Sequence, residues 1–159
     1  MSAPRYVSVI GASRATPELA AKAEELGGLL ARRGLIVVCG GREGVMEAVA
    51  RGVKRAGGVS IGILPETDRH RAAPDLTYTV CSAMGYARNL SVVASGDLVI
   101  ALGGAWGTLS EIALARNVGK PVILLDTWTI APPGGGELDG VRRAATPAEA
   151  VELALTLEA

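Results

Sequence analysis

Six short apolar runs, at residues 6–10, 35–39, 59–64, 76–80, 97–102 and 121–125, are rich in Val, Ile and Leu and are bounded by glycine or proline. Helical patterns at 16–33, 44–56, 85–94 and 108–118 separate most of them. Runs this short and this uniformly apolar read as strands, most of them buried on both faces, and strands alternating with helices make right-handed βαβ units. The alternation predicts an α/β fold with a doubly wound, mainly parallel sheet of six or seven strands and helices on both faces. The seventh strand is expected within 140–144. A final helix is expected from Thr146, because Thr146-Pro147-Ala148-Glu149 is a capping box with proline in the first turn. Thr16-Pro17 gives the first helix a similar start.

A chain of 159 residues has the length of one domain, expected over 1–159. Its 49% hydrophobic content excludes disorder, and its sixteen basic residues balance its sixteen acidic ones. A surface without net charge gives no support for nucleic-acid or membrane-surface partners. With no Phe and only 3% aromatic residues, base-stacking platforms are not expected either. Met1-Ser2-Ala3-Pro4-Arg5 leads into the first strand without a leader-like apolar stretch. No run approaches the roughly 18 residues of a membrane span. Cys39 and Cys81 are isolated from each other and from His70, which excludes a zinc or CxxC pattern. A cytoplasmic protein with reduced, buried thiols and no metal site is expected.

Glycine stands at 21 positions, well above the usual roughly 7%, so its placement carries information. Gly40-Gly41 and Gly103-Gly104 follow strands and fall at the carboxyl edge of the sheet, where open α/β folds bind ligands. Gly57-Gly58 sits where a helix must stop, and Gly27-Gly28 lies inside a helical pattern, which points to close helix packing.

The strongest constellation is Gly103-Gly104-Ala105-Trp106-Gly107-Thr108-Leu109-Ser110-Glu111, between a buried strand and a helix. Small residues let backbone N–H groups approach an anion, the helix N-terminus adds partial positive charge, and Thr108 offers a hydroxyl. A phosphate-binding turn for a nucleotide-like ligand is therefore expected here. A second reading makes Thr108-x-x-Glu111 a capping box that only starts the helix.

A dinucleotide site is excluded on two points: the first turn, 11–16, lacks GxGxxG, and the second strand ends in Cys39-Gly40 where an acidic ribose ligand belongs. A Walker A sequence is absent too, so a monophosphate suits the turn better than ATP or NAD. Gly11, Ser13 and Arg14 after the first strand, Gly40, Gly41, Arg42 and Glu43 after the second, and Met84 in the turn 82–87 lie on the same expected edge. Arg88 follows that turn, where a guanidinium either holds phosphate or ribose or pairs with a surface carboxylate. His70, in a polar loop without a nucleophile at motif spacing, reads as a loop residue.

These motifs resemble the Lonely-guy family of nucleoside 5'-monophosphate phosphoribohydrolases, often labelled lysine decarboxylase-like, and the related molybdenum-cofactor carrier proteins. The residues that carry the likeness are the second glycine-rich turn, 38–46, the stretch Gly62-Ile63-Leu64-Pro65, the Arg88-Asn89 pair and the motif Gly103 to Glu111. The resemblance implies a Rossmann-like domain, a phosphorylated nucleotide-like small molecule at the glycine turn, and Arg88 with Glu111 as the catalytic pair. It also implies a homo-oligomer, dimer or tetramer. Three positions depart from the family pattern: Asn89 stands in place of lysine, Gly103 in place of proline, and Ala105 in place of glycine. They bring the chain nearest to the carrier-like branch and leave two readings open. One is hydrolysis of the N-glycosidic bond to free base and ribose 5-phosphate, with no cofactor required. The other is non-catalytic carriage of a nucleotide or of the molybdenum cofactor, a phosphorylated pterin. Lysine decarboxylation is not expected, because no lysine sits where pyridoxal would be held.

Overall fold

The computed structural model describes residues 5–157. Chain order gives β1 (Tyr6–Gly11), α1 (Pro17–Arg32), β2 (Ile36–Cys39), α2 (Val45–Arg55), β3 (Ser60–Leu64) and β4 (Tyr78–Cys81) in the first half. The second half holds α3 (Arg88–Ser95), β5 (Leu98–Leu102), α4 (Trp106–Asn117), β6 (Val122–Leu125), β7 (Val141–Ala144) and α5 (Pro147–Thr156). The expectation of a doubly wound parallel sheet holds: the seven strands lie in the order β4-β3-β2-β1-β5-β6-β7, and every pairing is parallel. The winding reverses between β1 and β5, and the carboxyl ends of these two strands flank the crevice where such sheets bind ligands.

Side-chain alternation on the strands divides the core into two layers. Val7 and Val9 of β1 pack with Ala23, Leu26 and Leu30 of α1, Val49 and Val53 of α2, and Val151 of α5. Ile10 faces the other way, with Val92 and Val93 of α3 and Ile112 and Ala115 of α4. Ser8 on that second face is fully buried, and its hydroxyl donates to the Val92 carbonyl at 2.6 Å, so α3 is pinned to the central strand. The expected close packing at Gly27 is real: a β-carbon there would run into the Val49 carbonyl, and one at Gly52 into the Glu24 carbonyl. Helices α1 and α2 thus touch backbone to backbone.

Several boundaries differ from the sequence expectation for local physical reasons. Helix α5 begins as expected, with the Thr146 hydroxyl accepting from the Glu149 N–H at 3.1 Å and the Glu149 carboxylate accepting from the Ala145 N–H at 2.7 Å. Strand β4 starts at Tyr78, and as an edge strand it leaves Tyr78, Val80 and Cys81 exposed. Cys39 is buried on β2, but the expected burial of Cys81 is therefore corrected. The stretch before α3 is a single 3-10 turn, Gly85–Ala87. Among the described residues no helix is long and apolar enough to cross a membrane.

Candidate functional site

A cleft of about 480 Å³ opens at the β1–β5 switch point. Its wall from the first half of the chain is the β1–α1 turn, where Gly11, Ser13, Arg14 and Thr16 line it, with Gly40 and Met46 beside them. A β-carbon at Gly11 would strike the Leu102 carbonyl, so the first turn lies directly against the end of β5. The opposite wall is Gly104, Ala105, Gly107, Thr108 and Glu111, and Tyr86, Arg88 and Asn89 close the remaining side.

The glycine turn shapes the start of α4. Gly103 and Gly104 adopt φ of +63° and +107°, left-handed backbone that a side chain would strain, and the Thr108 side chain occupies the space above Gly104. The helix begins at Trp106, two residues earlier than the sequence pattern suggested, and Ala105 at its N-cap provides no side-chain acceptor. Its first hydrogen bond runs from the Leu109 N–H to the Ala105 carbonyl at 3.1 Å. The amides of Trp106, Gly107 and Thr108 are thus the free N-terminal donors of α4, a partial positive charge at the cleft wall. The capping-box reading of Thr108 and Glu111 is corrected by this earlier start: both lie inside the helix, one turn apart, with side chains turned inward at 3% and 9% exposure.

Glu111 is the unusual group of the site. Burial raises its pKa from 4.5 to about 7, partly offset by the positive charge of Arg88. Arg88, the first residue of α3, projects over Gly40, and its buried Nε has no hydrogen-bond partner. Burial lowers the Arg88 pKa, while Glu111 acts in the opposite sense. Among the described residues the two do not form an ion pair. The two side chains line one cleft without neutralising each other by direct contact, an arrangement typical of functional sites.

Most of the residues expected from sequence therefore meet in one place, and six do not line the cleft. Gly41 packs against Gly62, Gly103 turns toward Leu19, Met84 points outward at 54% exposure, and Trp106 is 75% exposed and packs at a tilt against Trp128. Arg42 and Glu43 stand outside it as well, with Arg42 paired to Glu66 across the β2 and β3 turns. His70 lies exposed on a 3-10 turn, Arg69–Arg71. Thr16, Leu19, Met46 and Tyr86 line the cleft as well. Thr16 carried only a capping signal, and it does cap α1 by accepting from the Leu19 N–H at 3.2 Å. No lysine is among the lining residues, and no three His, Cys, Asp or Glu side chains among the described residues gather as a metal site.

A seven-stranded parallel sheet with its cleft at the switch point defines a Rossmann-like α/β protein. The SLOG cluster4 family matches residues 4–151, and the chain belongs to it. The chain is 38% identical over 151 residues to an uncharacterised protein of Archaeoglobus fulgidus, covering 94% of each chain. It is 31% identical over 140 residues to the cytokinin riboside 5'-monophosphate phosphoribohydrolase of Mycobacterium tuberculosis, covering 82% of this chain and 71% of that one. Among solved structures, the molybdenum cofactor binding protein from Rippkaea orientalis matches with a TM-score of 0.86 at 35% identity, over 98% of each chain. The family resemblance read from the motifs is thus found on both sides, the hydrolase side and the cofactor-binding side.

Proposed function

We propose that the cleft binds a nucleoside 5'-monophosphate-like ligand, with its phosphate at the N-terminus of α4, and hydrolyses its N-glycosidic bond. The observation that carries the reading is Glu111, a carboxyl buried in the wall of the cleft with a pKa of about 7 and under the positive charge of Arg88. The amides of residues 106–108 and the Thr108 hydroxyl hold the phosphate. Arg88 fixes the substrate by charge-assisted hydrogen bonds, so that the base and the attacking water lie on opposite faces of the ribose. As the bond between C1' and the base nitrogen breaks, positive charge grows on the ribose ring, and the Glu111 carboxylate stabilises it. The same carboxylate accepts a proton from the water whose oxygen bonds to C1'. The leaving nitrogen takes up a proton from solvent, Glu111 returns its proton to solvent, and the products are free base and ribose 5-phosphate.

A second reading has an observation of its own. Asn89 stands in the cleft wall where the hydrolase pattern has lysine, which removes one cation from the ligand. A phosphorylated pterin such as the molybdenum cofactor, held as cargo by the same turn, fits that departure and the cofactor-binding relative. Incubation of the pure protein with a panel of nucleoside 5'-monophosphates, followed by chromatography of the free base, separates the two. Release that is lost in Glu111→Gln supports hydrolysis. Saturable binding without release, retained in Glu111→Ala, supports carriage and rejects the first reading.

Assembly as a homo-oligomer is proposed alongside. Tyr78, Val80, Met84, Tyr86 and Leu90 are five large apolar side chains exposed along β4, the turn after it and α3. Such a cluster marks an interface more often than an ordinary surface.

A further inference from the structure

Within the turn the Leu109 N–H holds the Ala105 carbonyl as the first bond of α4, while both backbone groups of Gly103 bond to residues beyond it. Gly103 and Gly104 are the residues with the greatest backbone freedom, and Ala105 offers no capping side chain. The turn is held from outside, by the segment that follows β6. The Gly103 N–H donates to the Asp126 carbonyl at 3.0 Å. The Thr127 hydroxyl donates to the Gly103 carbonyl, and the Trp128 indole N–H donates to the Ala105 carbonyl at 3.1 Å. The Trp106 and Trp128 rings pack with centroids 5.1 Å apart at 41°. Asp126 itself adopts φ of +48°, uncommon for a residue with a side chain, and its carboxylate pairs with Lys22 of α1.

We infer that residues 126–128 are a clamp that sets the direction of the anion-binding amides, with Thr127 and Trp128 as positioning residues. In a trans peptide plane the C=O and the following N–H point in opposite directions. Thr127 holds the Gly103 carbonyl, and so turns to the other side of the chain the N–H of Gly104, a lining residue of the cleft that adds a donor to the amides of residues 106–108. Trp128 adds a second donor to the Ala105 carbonyl, which also accepts from the Leu109 N–H, and so reinforces the direction of the Trp106 N–H. Neither Thr127 nor Trp128 lines the cleft, so they act on a ligand only through the turn. Donors fixed before the ligand arrives spare it the cost of ordering a glycine loop. This inference rests on the proposed phosphate site, and its test is built so that either can fail without the other.

The test uses the full chain as wild type, Thr127→Val, Thr127→Ser and Trp128→Phe. Thr127→Val keeps the shape and removes the hydroxyl, Thr127→Ser restores the hydroxyl, and Trp128→Phe keeps an aromatic ring and removes the N–H. Backbone NMR order parameters of residues 103–107 are measured without ligand, and AMP and inorganic phosphate are titrated by calorimetry. The expected result is that Thr127→Val and Trp128→Phe lower the order parameters from about 0.85 toward 0.6. Both variants weaken AMP binding by about tenfold, and Thr127→Ser recovers order and affinity. Unchanged order parameters in both donor-less variants overturn the clamp, as does unchanged AMP affinity beside a wild type that binds. A wild type that binds neither AMP nor phosphate overturns the phosphate site, while the order parameters still decide the clamp.

Discussion

The Arg88 guanidinium lies where a β-carbon on residue 40 would stand, so Gly40 is the vacancy that lets arginine enter the cleft wall. A methyl group at 40 would also press on the Met46 sulfur, which is flexible enough to yield. Gly40→Ala is therefore expected to displace Arg88 and weaken AMP binding on the order of tenfold, much as Arg88→Ala does. Calorimetric titration of both variants checks this, and a Gly40→Ala protein that binds like wild type contradicts it.

Glu111 predicts the pH dependence of turnover. With a pKa of about 7 the carboxylate form gains population as pH rises through neutrality. Base release is expected to climb about tenfold per pH unit below 6 and to level off above 8. A profile flat from pH 5 to 9 would remove Glu111 from the rate-determining step.

The same group predicts a stability effect of opposite sense. Its pKa in the fold lies above the ordinary 4.5, so the folded protein holds this proton more tightly than the unfolded chain. That contribution is complete below about 4.5 and is lost as pH rises through 7, where the buried carboxylate ionises. Glu111→Gln is expected to melt roughly 5–10 °C above wild type at pH 8.5, with a difference that shrinks toward pH 5. Thermal melts at the two pH values decide it.

Gly107 separates binding from folding. A β-carbon there meets nothing within 4 Å, and the residue stands in the first turn of α4 on the cleft side. Alanine is expected to stabilise the helix by about 0.5–1 kcal/mol and to obstruct the approach of phosphate to the free amides. A melting temperature that rises while AMP affinity falls is the predicted pair of results.

The exposed apolar residues predict assembly. Light scattering is expected to give at least twice the monomer mass, and Tyr86→Asp, at a side chain 93% exposed, is expected to shift the protein toward monomer. A monomeric wild type at micromolar concentration refutes this.

The parallel sheet was legible because buried strands and amphipathic helices have different periods, and six of the seven strands follow apolar runs. The boundaries that slipped lie where long-range contacts decide. Strand β4 is wet because, among the described residues, it packs chiefly against β3 and the 3-10 turn Arg69–Arg71, without a helix laid across its faces. Helix α4 starts at Trp106, after a turn that takes part in long-range hydrogen bonds with residues 126–128. Thr16 gave a capping signal and no sign that the β1–α1 turn would bring it to the cleft.

What the sequence determined by itself is local: which segments are strands and helices, that glycine turns stand at the strand ends, and that Arg88 and Glu111 accompany one of them. Only the tertiary structure decided that these two side chains share a cleft with Gly11, Arg14 and Gly40, and that Glu111 titrates near neutrality. The reason is that helix and turn preferences act over a few neighbouring residues. A carboxyl group is desolvated by whatever the fold packs around it, and an arginine's reach is set by a glycine 48 positions away in the chain.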